Sequence, residues 1–334
     1  MKKRTIFMNR GVFALKIAVL GAGAIGCYFG GLLTREHQDV TFAARGRTLD
    51  YLRSHDLIVK SILGDFSLPV KVIDAEHLQQ ETDFDFVLLS VKSTALMDTI
   101  PILQLMTGPM TKIVCLLNGI GNEEKLAEVF GADRVIGGSA FISIIREAPG
   151  VVNHVGEGTL VLGEWLRENA KKQEQPLNPL AESLRLAGVK VDVTDHIRQV
   201  KWEKLQWNII YNSVTALTGT RVGEALKNPD LFPLLSSIKD EFLHVARAEG
   251  IRIRQSLSDN VLLPNPDVEH HKTSMLQDLE NGRKMELEAI LGFAIQVAHK
   301  HHVPVTTIET IYHLLRFTER KNEEAKSDPP LQHK

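Results

Sequence analysis

The chain changes rhythm near residue 195. Before that point, short apolar runs of strand character, Ile17–Leu20, Val40–Ala44, Phe84–Leu89, Lys112–Leu117 and Arg134–Gly137, are separated by helical or polar segments such as Cys27–Leu33. That alternation predicts parallel βαβ units, and hence an α/β domain with a doubly wound parallel sheet. Between Ser139 and Val193 the pieces are shorter, Val151–Val155, Leu160–Gly163 and Val189–Val193 around a polar stretch over 167–175, and are expected to close the sheet. From His196 onward strand signals nearly vanish. Helical periodicity takes over in Val200–Leu217, Phe232–Glu249, Met275–Asn281, Lys284–His301 and Thr306–Phe317, which predicts an all-α second domain. The expected division is thus an extension over 1–15, an α/β domain over 16–195, a helical domain over 196–317, and a flexible tail over 318–334 rich in Lys, Glu, Pro and Gln.

Composition narrows the function classes. A length of 334 residues suits two domains that each bury a core. With 39 basic against 41 acidic side chains the net charge is −2, which does not indicate a nucleic-acid surface. Cys27 and Cys115 are the only cysteines and form no CxxC pair, so a disulfide framework and a cysteine zinc site are excluded, and the chain reads as reduced and cytoplasmic. The basic start followed by apolar residues outlines a signal peptide, but Lys16 interrupts it and glycines follow at meaningful spacing. No apolar stretch reaches the roughly 18 residues a membrane span needs. His270-His271 and His299-Lys300-His301-His302 lack metal-ligand spacing, so no metal site is expected.

The first candidate chemistry is Gly21-Ala22-Gly23-Ala24-Ile25-Gly26, a GxGxxG directly after a predicted strand and opening a predicted helix. In that context Gly21 permits the tight turn, Gly23 lets a pyrophosphate approach the backbone, Gly26 allows the helix to pack closely on the strand, and the helix N-terminus favours the anion. A dinucleotide site follows. A site for NAD places an acid at the end of the second strand, whereas here that strand ends Ala43-Ala44-Arg45, and Arg45 suits the 2′-phosphate of NADP(H). Three further features follow predicted strands at their carboxyl ends, where open α/β sheets bind ligands: Ser90-Val91-Lys92-Ser93, Leu117-Asn118-Gly119-Ile120-Gly121 and Gly137-Gly138-Ser139. Lys92 and Asn118 are then expected to touch the cofactor ribose or the substrate.

The second candidate lies in the helical domain. On an otherwise apolar helix, Lys204, Asn208 and Asn212 recur at i, i+4 and i+8 and form one polar stripe. Asparagine is a poor interior helix residue, so two on this face ask for a reason. Glu286 shares a stripe with Ile290, Phe293 and Val297, which turns a carboxylate along an apolar face, a costly placement unless it is paired. Ser274, twelve residues before Glu286, cannot share its face on one straight helix, but Asn281-Gly282 marks a break between two helices; taken alone, Ser274 reads as a helix N-cap.

These residues line up with a known family. KIAVLGAGAIG at the front, LLNGIGN in the middle, WEKLQWNIIYNSVTAL opening the helical domain, and SMLQDLENGRKMELEAILGF make the chain from Lys16 to about Phe317 resemble the ketopantoate reductase (2-dehydropantoate 2-reductase) family. The resemblance implies a Rossmann domain with a helical domain of the 6-phosphogluconate dehydrogenase C-terminal type, holding NADPH and an α-keto acid. It implies Lys204 as the catalytic lysine, Asn208 and Asn212 as substrate-binding asparagines, Ser274 as the substrate serine and Glu286 as the active-site acid. Asn118 matches the asparagine of the family's NG turn, and Asn118 and Glu286 are expected at the cofactor as well. The implied reaction is NADPH-dependent reduction of 2-dehydropantoate to pantoate, a step toward vitamin B5 and coenzyme A, by an enzyme that is a monomer or homodimer. His271-Lys272-Thr273 departs from the family's more typical asparagine-containing stretch, which leaves another 2-oxo acid as an alternative substrate. A non-catalytic NADPH-binding regulatory protein is the alternative from another class; the joint presence of Lys204 and Glu286 argues against it.

Overall fold

The computed structural model describes residues 14–80, 83–165 and 177–327. The extension over 1–13, the polar stretch over 167–175 and the last residues of the tail lie outside the described residues. The described residues divide into two compact units, one formed by those up to 117 together with those in 122–198, the other by 118–121 and those from 199 onward.

The first unit is built on one sheet. Its elements run β1 (Lys16–Leu20), α1 (Ala24–Arg35), β2 (Asp39–Ala44), α2 (Gly46–Ser54), β3 (Leu57–Ser61), β4 (Phe66–Leu68), β5 (Lys71–Asp74), β6 (Phe86–Leu89), α3 (Leu96–Met106), β7 (Lys112–Cys115), α4 (Asn122–Phe130), β8 (Val135–Ala148), β9 (Val151–Glu164), α5 (Asn178–Leu186) and β10 (Lys190–Val193). The sheet order is β4-β3-β9-β8-β7-β6-β1-β2-β5, with β10 beside β9. Its heart, β7-β6-β1-β2-β5, is parallel throughout. Residues 17–20 and 86–89 are buried, as the unbroken apolar runs of central parallel strands require. The sheet as a whole is mixed, because β8 and β9 pair antiparallel and so do β3 and β4.

Two expectations fail here for one physical reason. Val151–Val155 and Leu160–Gly163, expected as separate short pieces, are parts of the single 14-residue strand β9, which forms a long hairpin with β8. Gly137-Gly138-Ser139, expected at the carboxyl end of a strand, lies inside β8. Glycine in a strand marks close packing as readily as a turn. A Cβ on Gly137 would stand 3.0 Å from the Ile197 side chain, and one on Gly138 would press into Leu116 at 2.5 Å.

The second unit holds no strand among the described residues. Helix α6 (Ile197–Trp207) passes through a π turn (Asn208–Asn212) into α7 (Ser213–Thr218), followed by α8 (Val222–Lys227), α9 (Phe232–Ala248), α10 (Gln255–Asn260) and α11 (Ser274–Glu280). A second π turn (Glu288–Gly292) leads into α12 (Phe293–Lys300), and α13 (Thr306–Ser327) ends the described chain. Trp202, Ile209, Tyr211, Phe242, Ile290 and Ile308 lie in its core. Residues 318–327, expected within the flexible tail, are helical: Glu319 accepts a hydrogen bond from the Met285 backbone, and Lys284 pairs with Glu323, so this polar stretch has partners on its own unit. Among the described residues no helix is long and apolar enough to cross a membrane.

Candidate active site

The glycine turn of the first unit is shaped from its backbone. Gly21 has φ +107°, a conformation that side chains rarely adopt, and a Cβ there would stand 2.8 Å from the Val91 amide nitrogen. A Cβ on Gly26 would collide with the Gly21 carbonyl oxygen and with Ser90 Oγ. Ser90 Oγ donates to that same carbonyl at 2.8 Å, pinning the turn to the end of β6. Gly23 differs: its nearest neighbour is the Ser90 carbonyl oxygen at 3.9 Å, so the space a side chain would take is open. It is the N-cap of α1 and no side chain caps that end, while Ala24 and Ile25 form the first residues of the helix and Ala22 is buried beside it. Open space before uncapped backbone N–H groups fits a pyrophosphate.

Arg45 and Lys92 follow β2 and β6, the two neighbours of β1, and both are exposed. Arg45 is the N-cap of α2 and extended in backbone, so its guanidinium and the start of a helix together favour an anion. No carboxylate ends β2.

In the second unit three predicted residues form a hydrogen-bonded row. Lys204 Nζ donates to Asn118 Oδ1 at 3.1 Å, and Asn118 Nδ2 donates to Glu286 Oε2 at 3.4 Å. Asn118 owes its place to the glycines after it. Gly119 (φ +79°) lies so close to Ala289 that a Cβ would meet its carbonyl oxygen, which also accepts from Ile120 N at 3.0 Å, and a Cβ on Gly121 would stand 2.7 Å from the Phe293 ring. Burial pushes the Lys204 ammonium down from the ordinary 10.5 to about 8; Lys201, one turn earlier on α6, pushes the same way, and Glu286 opposes both.

Glu286 does not lie on a helix, as its apolar stripe predicts. It is 4 % exposed in the irregular segment 283–286, and its carbonyl accepts from Ile290 N at 3.2 Å to start the helical turn that follows. Its carboxylate accepts from the Asn118 amide. The Asn281-Gly282 break explains the error: the chain must unwind before the next helix begins.

Asn208 and Asn212 are both buried. They bound the π turn, so the simple i, i+4, i+8 stripe is interrupted between them, and such turns recur at functional sites. Asn212 Nδ2 reaches Ser274 Oγ at 3.5 Å. Thr273, not Ser274, caps α11, accepting from Leu276 N. The hydroxyl of Ser274 is therefore not spent on the helix end. Two further residues bear on these sites without standing out in the sequence: Ser90, which pins the turn, and buried Lys201. A lysine three residues before Lys204 on a mostly apolar helix is the signal that was available.

A glycine-turn α/β unit followed in the chain by a helical unit is the architecture of a family of oxidoreductases. Residues 17–167 match the family described as Ketopantoate reductase PanE/ApbA, residues 196–319 match its C-terminal counterpart, and the chain belongs to this family. A 2-dehydropantoate 2-reductase of a Nostoc species is 27 % identical over 314 residues, 92 % of this chain and 96 % of that protein. The crystal structure of 2-dehydropantoate 2-reductase from Geobacter metallireducens is 35 % identical, covers 91 % of this chain and 99 % of its own, and superposes with a TM-score of 0.83. A D-mandelate dehydrogenase with NADH and anilino(oxo)acetate shares the fold at 22 % identity, 92 % and 100 % coverage and a TM-score of 0.84.

Proposed function

We propose that this chain reduces the carbonyl of 2-dehydropantoate to give pantoate, with NADPH as the hydride donor. The observation that carries the reading is the row Lys204–Asn118–Glu286, which aims an ammonium with a lowered pKa and holds it by an amide and a carboxylate. Gly21, Ala22, Gly23, Ala24, Ile25 and Gly26 would hold the pyrophosphate, Arg45 the 2′-phosphate, and Lys92 and Asn118 the ribose or nicotinamide side. When bound, the reduced nicotinamide supplies hydride to the carbonyl carbon.

The chain's own residues do the rest. Lys204 hydrogen-bonds the carbonyl oxygen and gives it a proton as negative charge develops there, and a donor near pKa 8 is well matched to neutral pH. Asn118 orients the ammonium, and Glu286 keeps its charge favourable in a half-buried place. Ser274 binds the substrate carboxylate, and Asn208 and Asn212 the distal hydroxyl. The product is a 2-hydroxy acid; Lys204 regains its proton from solvent. The name and identity of the Geobacter metallireducens enzyme support this substrate.

His271-Lys272-Thr273 favours a second reading, reduction of another 2-oxo acid by the same groups. Initial rates of NADPH oxidation with 2-dehydropantoate beside pyruvate-like and bulkier 2-oxo acids decide between them. A kcat/KM for 2-dehydropantoate about ten-fold or more above the others is expected. A preference for another acid overturns the substrate, and no turnover on any of them overturns the enzyme.

A further inference from the structure

The irregular segment that carries Glu286 is held from both sides, and one of the holders comes from the far end of the chain. On the approach, Arg283 N donates to the Asp278 carbonyl oxygen at 2.7 Å, and Arg283 Nε donates to Asp278 Oδ1 at 3.0 Å. Asp278 is 3 % exposed, so that side is fixed to α11. At the residue before Glu286, the Met285 N–H has no helical carbonyl to bond, because the helix has not yet begun. Glu319 Oε1 of α13 accepts from it at 2.6 Å. The Met285 side chain is buried, so the same residue is gripped by the core on one side and by a carboxylate on its amide.

The amide of a buried residue outside regular structure must be satisfied, and a charged acceptor is a strong partner. With Met285 N–H fixed, the Glu286 carbonyl committed to Ile290 N, and Asn118 Nδ2 on the carboxylate, little freedom remains in where Glu286 points. We infer that Glu319 is a positioning residue: its grip on the Met285 amide sets the direction of the Glu286 carboxylate and through it the Lys204–Asn118–Glu286 row. The inference rests on the reading of Glu286 as a site residue. It gives α13 beyond Phe317 a part in activity.

The test is a cycle of full-length variants read by kcat and KM with NADPH and 2-dehydropantoate, with the Met285 amide followed by hydrogen exchange. Glu319→Gln keeps an acceptor oxygen and should stay within about two-fold of the parent. Glu319→Ala should lose Met285 protection and about ten-fold in kcat/KM, as expected when a catalytic group is slightly misaimed. Glu319→Asp, which withdraws the acceptor by one methylene, should fall between, and it carries the test if the alanine variant does not fold. In a Glu286→Gln background, Glu319→Ala should cost almost nothing more, because both changes act on one carboxylate. A further ten-fold loss in that background, or parent-like kcat/KM for Glu319→Ala and Glu319→Asp while Glu286→Gln is impaired, overturns the positioning role alone. Parent-like activity of Glu286→Gln overturns the underlying reading and this inference with it.

Discussion

The two candidate regions solve opposite problems. The turn over Gly21–Gly26 works by leaving side chains out: its glycines bring Ser90 and the β6 end against the backbone and leave space only at Gly23. The Lys204–Asn118–Glu286 row works by side chains, from three segments separated by up to 168 residues in sequence. The glycine turn is written in consecutive residues. The side-chain row is assembled only when the helical unit folds, so under the proposed roles disturbing each region should leave a different signature.

The largest effect is expected from Lys204→Ala. Removing the proton donor should cut kcat by about 10²-fold or more while NADPH affinity, measured by fluorescence titration, changes little. If kcat survives, the side-chain region is not the chemical one and the contrast collapses. Arg45→Ala should do the reverse: affinity for NADPH falls by about ten-fold or more, the worth of a charge-assisted hydrogen bond, while that for NADH barely moves. Equal losses for both cofactors would remove Arg45 from the 2′-phosphate.

The glycine turn can be divided within itself. Gly26→Ala forces a Cβ against the Gly21 carbonyl and should cost about 1–3 kcal/mol of stability in a denaturant titration, whether or not NADPH is present. Gly23→Ala meets only open space and should cost less than about 1 kcal/mol, but it should weaken NADPH binding, because the methyl fills the approach to the backbone. Unchanged NADPH affinity in Gly23→Ala would mean the turn serves packing alone.

The same contrast explains what the sequence could tell. The parallel strands and the glycine turn were legible because their signals are local: apolar runs four to five residues long, then glycines at fixed spacing. The long β8–β9 hairpin is not, because Gly137-Gly138-Ser139 reads as the end of a strand, and Val151–Val155 and Leu160–Gly163 as separate pieces, when the pairing partner is unknown. Of the site, Lys204, Asn208 and Asn212 stand out as polar residues on an apolar helix, but the π turn between Asn208 and Asn212 has no periodic signature. Glu286 was singled out for a stripe it does not occupy. Its actual place depends on Asp278, Glu319 and Asn118 at distances in sequence that no local pattern spans. The end of α13 reads as a tail because a charged stretch looks alike whether its partners are water or another segment of the chain.

The subtlest expected effect is in the pH profile. A donor must be protonated to act, so kcat should hold below a pKa near 8 and fall as pH rises through it. Lys201 disfavours the charged form of Lys204 and Glu286 favours it, so neutralising them should move that alkaline limb in opposite directions. Lys201→Gln removes a like charge and should move it upward; Glu286→Gln removes an opposite charge and should move it downward, besides lowering the rate. Arg45→Ala, in the region that binds by backbone and phosphate contacts, should leave the limb where it is once NADPH is saturating. A limb that moved with Arg45 and ignored both Lys201 and Glu286 would assign the titrating group elsewhere, and the division of labour between the two regions would have to be redrawn.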